Sequence, residues 1–154
     1  SLGNGISVAA GMAYAFKADK KKNKVFVLVG DGECNEGIVW ETALFAAHHN
    51  LDNLFVIIDY NKLQGFGSTE KILNLEPLKP KFESFNWNVI QTDGHNILEI
   101  LRSLKSLNKK KKRPNLLIAN TIKGKGVKFM ENKFESHYEV LSEKKYNISI
   151  KHLN

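Results

Sequence analysis

Apolar positions follow two different periods along this chain of 154 residues. Four short runs are rich in Val, Ile and Leu, a pattern typical of strands that are buried on both faces of a sheet. Longer stretches carry apolar residues at helical spacing. The predicted strands cover residues 25–29, 54–59, 88–91 and 116–121. Buried strands that alternate with helices predict an α/β fold, with an open, mainly parallel sheet flanked by helices.

Three stretches have the pattern of helices. The first, 6–20, is rich in small residues, and the second covers 36–49. The third carries an apolar stripe, with Asn96 or Asp93 as the residue that caps its N-terminus. The stripe consists of Ile97, Ile100, Leu101, Leu104 and Leu107.

No internal repeat or change of composition divides the chain, so residues 1–154 are expected to form a single domain. Residues 65–81 contain Gly, Pro and Thr and predict a long connection, with a short helix at 70–74. The hydrophobic pattern weakens after Lys123. We therefore expect residues 138–154 to be an irregular tail.

Composition limits the cellular setting. The sequence contains no run of 18 apolar residues, so no membrane span and no membrane partner are expected. The N-terminus lacks the pattern of a signal peptide, and Cys34 is the single cysteine, which excludes an internal disulfide. An unpaired thiol is the ordinary state of a cysteine in a reducing compartment. These features predict a cytoplasmic protein.

The formal net charge of +7 is in the range of proteins that bind nucleic acid. Much of the excess lies in two basic runs, 20–22 and 109–113, and both fall between predicted elements. Such runs are ordinarily solvated loops, and no aromatic residues alternate with them to stack on bases. The sequence pattern therefore predicts no nucleic-acid partner.

Polar residues follow two of the predicted strands. Asp31 stands between Gly30 and Gly32 after the first strand, and Asn61 follows the second. The carboxyl ends of neighbouring parallel strands meet at one edge, where such sheets bind ligands. Carboxylate and amide oxygens suit Mg²⁺ or Ca²⁺, and a single carboxylate leaves phosphate oxygens to complete the shell. Since the glycines let the backbone approach an anion, these residues predict a metal–diphosphate site.

The segment around these residues resembles the thiamine diphosphate enzymes, and within them the N-terminal subunit of split bacterial transketolases. In that family Gly-Asp-Gly is followed by an asparagine after a gap of roughly thirty residues. The similarity covers most of the chain and includes SLGNGISVAAGMAYA, GDGECNEGIVWETALFAAHHNLDNLFVIIDYNKLQ, WNVIQTDGHN and TIKGKGV. The resemblance implies a transferase that moves a two-carbon ketol unit between sugar phosphates, with thiamine diphosphate and Mg²⁺ (or Ca²⁺) as cofactors.

The resemblance also implies roles for single residues in binding the cofactor. The Asp31 and Asn61 side chains would bind the metal together with the backbone carbonyl of Leu63. Gly32 would offer its N–H to the diphosphate. Leu2 matches a position in a loop that packs on the aminopyrimidine ring of the cofactor.

Four further residues match positions near the active site of the family. Glu36 and Glu41 correspond to glutamates of a carboxylate network near the dimer interface, which couples paired active sites. Lys123 and His137 correspond to a lysine and a histidine near the diphosphate and the substrate entrance. Ser136 stands where the family usually has tryptophan, so an exposed residue without a role is the alternative interpretation of His137.

The family pattern extends beyond this chain. In transketolases the cofactor domain begins well before the position that matches Ser1, so the domain here is expected to be N-terminally incomplete. The family also has a pyrimidine-binding domain, whose glutamate protonates the aminopyrimidine, and no residue of this chain matches that glutamate. We therefore expect a pyrimidine-binding partner subunit, in a dimer or a heterotetramer, and no activity without it.

Two other functions stay open at this point. The chain could belong to another thiamine diphosphate enzyme, such as a deoxyxylulose-phosphate synthase or an oxo-acid dehydrogenase, or it could be a truncated domain without catalytic function. The run NEG…WE…A favours transketolase. The retention of the metal-site, glutamate and lysine positions weighs against a degenerate domain.

Overall fold

The fold is an α/β sandwich described by a computed structural model for residues 2–109 and 112–153. The helices are α1 (Asn4–Ala18), α2 (Gly37–His48), α3 (Thr69–Ile72), α4 (Leu78–Ser84), α5 (Ile97–Leu107) and α6 (Glu143–Leu153). The strands are β1 (Val25–Gly30), β2 (Leu54–Tyr60), β3 (Leu63–Gln64), β4 (Gly67–Ser68), β5 (Asn88–Asp93) and β6 (Asn115–Asn120). Two short 3-10 helices cover Asp31–Asn35 and Phe134–His137.

Four strands form a parallel sheet in the order β1–β2–β6–β5. Gly30 of β1 pairs with Asp59 of β2, and Tyr60 of β2 pairs with Asn120 of β6, so these strands end level with one another. The short strands β3 and β4 form a separate antiparallel pair. The predicted open, parallel sheet is confirmed, with each strand boundary within two residues of its expected place.

Helices α1, α2 and α4 cover one face of the sheet and enclose the main core. Alanines on α1 and α2 are buried, and because their side chains are small the two helices can pack closely on each other and on the sheet. These buried alanines are Ala9, Ala10, Ala13, Ala43 and Ala46. The close packing fixes the N-terminus of each helix near the carboxyl edge of the sheet.

The opposite face of the sheet is covered only in part, because α5 packs on β5 and β6. Ile100, Leu104 and Leu107 of α5 contribute to a small second core there. On the edge strand β1, Phe26 and Leu28 point to this face and are 55% and 69% exposed. The expectation that β1 is buried on both faces is therefore wrong, because no described helix covers its second face.

The capping residue of α5 is Asn96, whose side chain accepts a hydrogen bond from the Glu99 N–H at 3.2 Å. Asp93 instead accepts from the N–H of His95. Of the predicted apolar stripe, Ile97 and Leu101 remain exposed. The stripe is therefore wider than the surface that α5 buries.

The structure corrects two expectations about irregular segments. Residues 143–153 form α6, whereas we expected an irregular tail from 138 onward. The sequence signal for this helix is Ser142, whose hydroxyl accepts a hydrogen bond from the Lys145 N–H and caps the helix. The connection 65–81 holds β4 and the short helix α3, which lies close to its expected place, and α4 begins before the connection ends. Within residues 2–109 and 112–153, no helix has the length and apolar character needed to cross a membrane.

Candidate functional site

A cavity of about 420 Å³ lies at the carboxyl edge of the sheet. Residues from four separate segments line it: the turn before α1, the 3-10 helix after β1, the β2–β3 region and the segment after β6. Eight residues singled out from the sequence are among them, namely Leu2, Gly30, Asp31, Gly32, Asn61, Leu63, Lys123 and His137. The fold therefore gathers the predicted metal, diphosphate and cofactor positions around one cavity.

Asp31 is the buried charge of this cavity, with 1% of its surface exposed. Its Oδ2 accepts a hydrogen bond from the Lys62 N–H at 2.6 Å, and its Oδ1 accepts from the Gly32 N–H at 2.8 Å. The two bonds hold the carboxylate between the 3-10 helix and the end of β2. Each carboxylate oxygen has a further lone pair, which leaves capacity to bind a cation.

Burial raises the pKa of Asp31 from 3.8 to about 6, and the nearby Asp59 carboxylate adds to this effect, while the Lys62 and Gly32 amides oppose it. Within residues 2–109 and 112–153, no lysine, arginine or histidine forms an ion pair with Asp31. A bound cation would supply the missing positive charge and favour the ionised carboxylate.

The Gly32 N–H, which the family resemblance assigns to the diphosphate, donates in this structure to the Asp31 carboxylate. Gly32 also meets a requirement for space, because a Cβ at this position would lie only 2.9 Å from the Cβ of Gln64. Gly30 has extended φ and ψ angles, and a Cβ there would meet nothing within 4 Å.

Gly32→Ala is therefore expected to lower the free energy of unfolding by about 1–3 kcal/mol, the usual cost of forcing atoms into a packed contact. Gly30→Ala is the matched control and should change it by less than about 0.5 kcal/mol, because its Cβ has open space. Urea denaturation followed by circular dichroism measures both. Equal losses for the two variants would contradict the close contact between Gly32 and Gln64.

Asn61 is held by its neighbours in an orientation that places oxygen atoms at the cavity. Its Oδ1 accepts from the Leu63 N–H at 2.9 Å, and its Nδ2 lies 3.5 Å from Asp59 Oδ1. Asp59, the last residue of the second predicted strand, also accepts a hydrogen bond from the Thr121 hydroxyl. Asp59 thus positions the Asn61 amide. The sequence feature that indicates this role is the position of Asp59, two residues before Asn61.

The donor set fits a hard cation that shares its shell with a ligand. The lining of the cavity includes the Asp31 carboxylate, the Asn61 amide and Leu63, which has a backbone carbonyl to offer. In the part of the chain that the structure describes, no cluster of three or more His, Cys, Asp or Glu side chains could hold a metal by itself. Mg²⁺ commonly takes one or two carboxylates and completes its shell with phosphate and water.

Glu33 is a structural residue of the cavity that sequence reasoning missed. Its Oε1 accepts from the Gly30 N–H at 3.0 Å, and its Oε2 accepts from the Gly3 N–H at 2.9 Å. Gly3 has a φ of +75°, and a Cβ there would lie 2.9 Å from the Cβ of Glu36. Glu33 therefore ties the turn that carries Leu2 to the end of β1. The signal was a glutamate three residues after Gly30, the spacing of a capping box.

Lys123 and His137 meet at the mouth of the cavity, with 3.4 Å between the lysine Nζ and the histidine Nδ1. His137 is exposed, as its alternative interpretation expected, and it also lines the cavity. The adjacent Tyr138, another lining residue that we had not anticipated, donates from its hydroxyl to the Gly65 carbonyl at 2.8 Å. The contact holds the segment with His137 against the β3–β4 turn.

Glu36 and Glu41 do not line the cavity. Glu36 precedes the first residue of α2, Glu41 lies one turn further along, and both side chains are exposed. The surface formed by α1 and α2 beside them also exposes large apolar side chains, namely Val8, Met12, Tyr14, Leu44 and Phe45. Glu36 and Glu41 thus lie outside the cavity, on an exposed surface that they share with these apolar side chains.

Cys34 is separate from this chemistry. Its side chain is 1% exposed, and burial raises the pKa of the thiol to about 12. A thiol that stays protonated and buried is a poor nucleophile. Cys34 packs as a small apolar residue, which agrees with its interpretation as an ordinary unpaired thiol.

The sequence of this chain is similar to those of known proteins. The family described as "Transketolase, thiamine diphosphate binding domain" matches residues 1–153. A 6-deoxy-6-sulfo-D-fructose transketolase subunit from a Clostridium species is 42% identical over 153 residues, which cover 99% of this chain and 56% of that protein. An apulose-4-phosphate transketolase subunit from Phocaeicola vulgatus is 40% identical over 154 residues, covering 100% of this chain and 55% of the relative.

Solved structures agree with the sequence matches. The crystal structure of transketolase from Campylobacter jejuni superposes with a TM-score of 0.85 at 30% identity, over 97% of this chain and 24% of the crystallised one. A transketolase from Pichia stipitis, at 22% identity, shares the fold with a TM-score of 0.72. This chain spans about half the length of the curated relatives it matches. The chain belongs to the transketolase family and corresponds to its thiamine diphosphate binding domain.

Proposed function

We propose that this chain is the diphosphate-binding part of a transketolase-type transferase, which moves a two-carbon ketol unit between sugar phosphates. The observation that supports it best is the cavity at the carboxyl edge, which brings together a buried carboxylate, an amide oxygen and a Lys–His pair. Oxygen donors beside cationic groups suit a metal bound to a diphosphate. The family match makes thiamine diphosphate the cofactor of choice.

The metal would be held by the Asp31 carboxylate, the Asn61 Oδ1 and the backbone carbonyl of Leu63, with Mg²⁺ or Ca²⁺ as the ion. Lys123 would supply positive charge to the diphosphate at the mouth of the cavity, where His137 is its neighbour. Thiamine diphosphate, when bound, supplies the electron sink that stabilises a carbanion. The residues of this chain bind and orient the diphosphate end of the cofactor, and Leu2 would contact its ring.

The structure offers a reason for a partner subunit. Glu33 is the glutamate that lines the cavity, and both of its carboxylate oxygens accept backbone hydrogen bonds. It is therefore not available to exchange a proton with the aminopyrimidine ring. We assign that task to a glutamate on a pyrimidine-binding partner, in a dimer or heterotetramer. The relatives named as transketolase subunits support such an assembly.

The substrates are proposed as a class. One relative is named for a sugar sulfonate and another for a sugar phosphate. An anionic group on a sugar is common to both names. We propose that this enzyme acts on anionic ketoses and aldoses, with sugar phosphates as the first choice.

The test is a coupled assay of two-carbon transfer from a ketose phosphate to an aldose phosphate, with this chain, its pyrimidine-binding partner, thiamine diphosphate and Mg²⁺. Transfer from the ketose is expected. Pyruvate is the control donor, because a deoxyxylulose-phosphate synthase or an oxo-acid dehydrogenase would use an oxo acid instead. Turnover of pyruvate without turnover of the ketose phosphate would replace the transketolase proposal by that alternative.

Asn61→Asp is expected to weaken thiamine diphosphate binding about tenfold while it strengthens binding of Mg²⁺ alone. The reason is that a second carboxylate beside Asp31 adds negative charge next to the diphosphate. Isothermal titration calorimetry of the assembled enzyme measures both affinities. Asn23→Asp, at an exposed position just before β1 on the opposite edge of the sheet, is the matched control. Unchanged cofactor affinity in Asn61→Asp would place Asn61 outside the metal shell.

A further inference from the structure

Two lysine-rich segments that are far apart in the sequence lie side by side in the structure. Lys17 near the end of α1 pairs with Asp52 Oδ1 at 3.1 Å, and Asp52 Oδ2 accepts from the Lys112 N–H at 3.2 Å. Asn53 adds a second tether, since its Nδ2 donates to the carbonyls of Ala13 and Asn23. Asp52 and Asn53 thus join the segment after α1 to the segment after α5.

Between the segment after α1 and the end of α5 lies a groove of about 450 Å³, which we call the basic groove. Its lining consists of four lysines, three asparagines and one aspartate: Lys17, Lys21, Lys22, Lys24, Asn23, Asn53, Asn108 and Asp52. Among these described lining residues there is no aromatic or aliphatic side chain. Such a lining suits a hydrated anion, whereas a protein partner or a membrane surface would ordinarily meet apolar anchors.

The charge of these segments accounts for the basic character of the whole chain. Residues 17–24 and 109–113 hold ten of the 23 lysine and arginine residues and one of the 16 acidic residues. The rest of the chain has 13 basic and 15 acidic residues. The excess of positive charge is therefore confined to these two segments of the sequence, of which residues 110 and 111 lie outside the described ranges.

The proposed cofactor site does not explain this charge. The basic groove lies beside the first residues of β1 and β2, at the amino edge of the sheet, while the cofactor cavity lies at the carboxyl edge. The six residues of β1 separate the two by about 20 Å, at roughly 3.3 Å per residue. Screening in physiological salt removes most of an exposed charge's effect beyond about 8 Å.

The dipoles of the neighbouring helices also explain only a small part of this positive charge. Helices α1, α2 and α5 end at this edge, and the C-terminus of a helix carries about half a negative charge. Three helix ends need about 1.5 positive charges between them. The four lysines that line the basic groove exceed this, and all four are exposed.

We propose that the basic groove binds a linear phosphate polyanion, through its phosphate groups and without recognition of bases. The phosphate chain of RNA and inorganic polyphosphate both have this chemistry. The pattern of the sequence alone, with two separate runs, gave no reason to expect a nucleic acid. The gathering of four lysines around one groove does. Contacts to phosphates are expected to depend strongly on salt, because each one releases counterions.

The experiment is fluorescence anisotropy of a fluorescein-labelled oligouridylate of about 20 nucleotides with the purified chain, from about 50 to 200 mM salt. The groove variant is Lys21→Gln/Lys22→Gln/Lys24→Gln, in which all three lysines are exposed. The matched control is Lys71→Gln/Lys128→Gln/Lys144→Gln, which removes the same charge from exposed lysines outside the groove. Circular dichroism verifies that all three proteins keep the same helix content.

The unchanged chain should bind at micromolar concentrations, the groove variant should lose at least about tenfold in affinity, and the control should lose less than about twofold. The slope of log affinity against log salt should fall by about 2 in the groove variant, since three phosphate contacts are removed. Equal losses in the two variants, or no binding by the unchanged chain, would overturn the proposal.

A competition arm separates the two sources of phosphate. Inorganic polyphosphate and unlabelled RNA are the two competitors, and inorganic polyphosphate should displace the labelled RNA. The competitor that displaces the label at the lower phosphate concentration is the better ligand of the groove. Failure of polyphosphate to displace the RNA would show that bases or sugars are recognised, and would overturn recognition by phosphate alone.

Discussion

Asp31→Asn is expected to lower the affinity of the assembled enzyme for thiamine diphosphate in Mg²⁺ by at least about 100-fold. The substitution keeps the size of the side chain and removes the one carboxylate proposed to bind the ion. Loss of groups that only support a metal ligand already costs about 10–100-fold, and a ligand itself should cost more. Without Mg²⁺ the variant should bind the cofactor at least as well as the unchanged protein, because it lacks the negative charge beside the diphosphate.

The folded state of Asp31→Asn should be nearly as stable as that of the unchanged protein at pH 8. Burial raises the pKa of Asp31 from 3.8 to about 6, so above pH 6 the ionised carboxylate costs roughly 3 kcal/mol, which the neutral amide recovers. The amide can accept only one of the bonds from the Gly32 and Lys62 N–H groups, and the unpaired N–H costs about 1–3 kcal/mol. The two contributions are similar in size and opposite in sign, so the free energy of unfolding should change little.

Calorimetry with and without Mg²⁺ measures the cofactor affinity, and urea denaturation measures the stability. Asp19→Asn is the matched control, because it makes the same chemical change at an exposed position near the amino edge of the sheet. Cofactor affinity in Asp31→Asn equal to that of the control would show that Asp31 does not bind the metal. A fully unfolded variant would show that the bonds of Asp31 to the backbone outweigh its burial cost.

The second large effect concerns assembly: the purified chain alone should show no ketol transfer and should bind thiamine diphosphate at least about 100-fold more weakly than the complex does. The cavity is open at the carboxyl edge, where Leu2 and Phe66 are 59% and 80% exposed. Glu33 is occupied by backbone amides, so the described part of the chain offers the aminopyrimidine ring no free glutamate in the cavity. A facing subunit would supply both the wall and the acid.

Titration of the pyrimidine-binding partner into the chain should raise cofactor affinity and transfer activity over the same concentration range, because one interface creates both. The matched control is a partner whose own pyrimidine-contacting glutamate is replaced by glutamine. It should restore cofactor binding but not turnover. Robust turnover of the rigorously purified chain, with no second polypeptide present, would show that the proton-transferring group lies within this chain.

The amino-acid sequence determined the sheet and the position of its ligand edge. Short apolar runs define β1, β2, β5 and β6 because a strand buried in a parallel sheet needs apolar side chains along its length. Asp31 and Asn61 were recognisable because each follows such a run, and parallel strands end at the same edge. Local pattern sufficed for these elements, since each depends on residues that are close together in the chain.

Other properties depended on contacts between distant segments. The exposure of Phe26 and Leu28 follows from the lack of a described helix over that side of β1, which the apolar run itself does not reveal. The engagement of the Gly32 N–H by Asp31, and of Glu33 by the Gly3 and Gly30 amides, became visible only in three dimensions. A hydrogen-bond donor in the sequence does not show where it will donate.

The basic groove shows the same division most clearly. Its lysines lie in and beside the run 20–22, which has the ordinary interpretation of a solvated loop. The tertiary structure decided that these lysines share a groove with Asp52, Asn53 and Asn108, because β1 and β2 are neighbours and Asp52, just before β2, pairs with Lys17. Charge density depends on distances in space, and those distances are fixed by strand order and register, which the run itself does not contain.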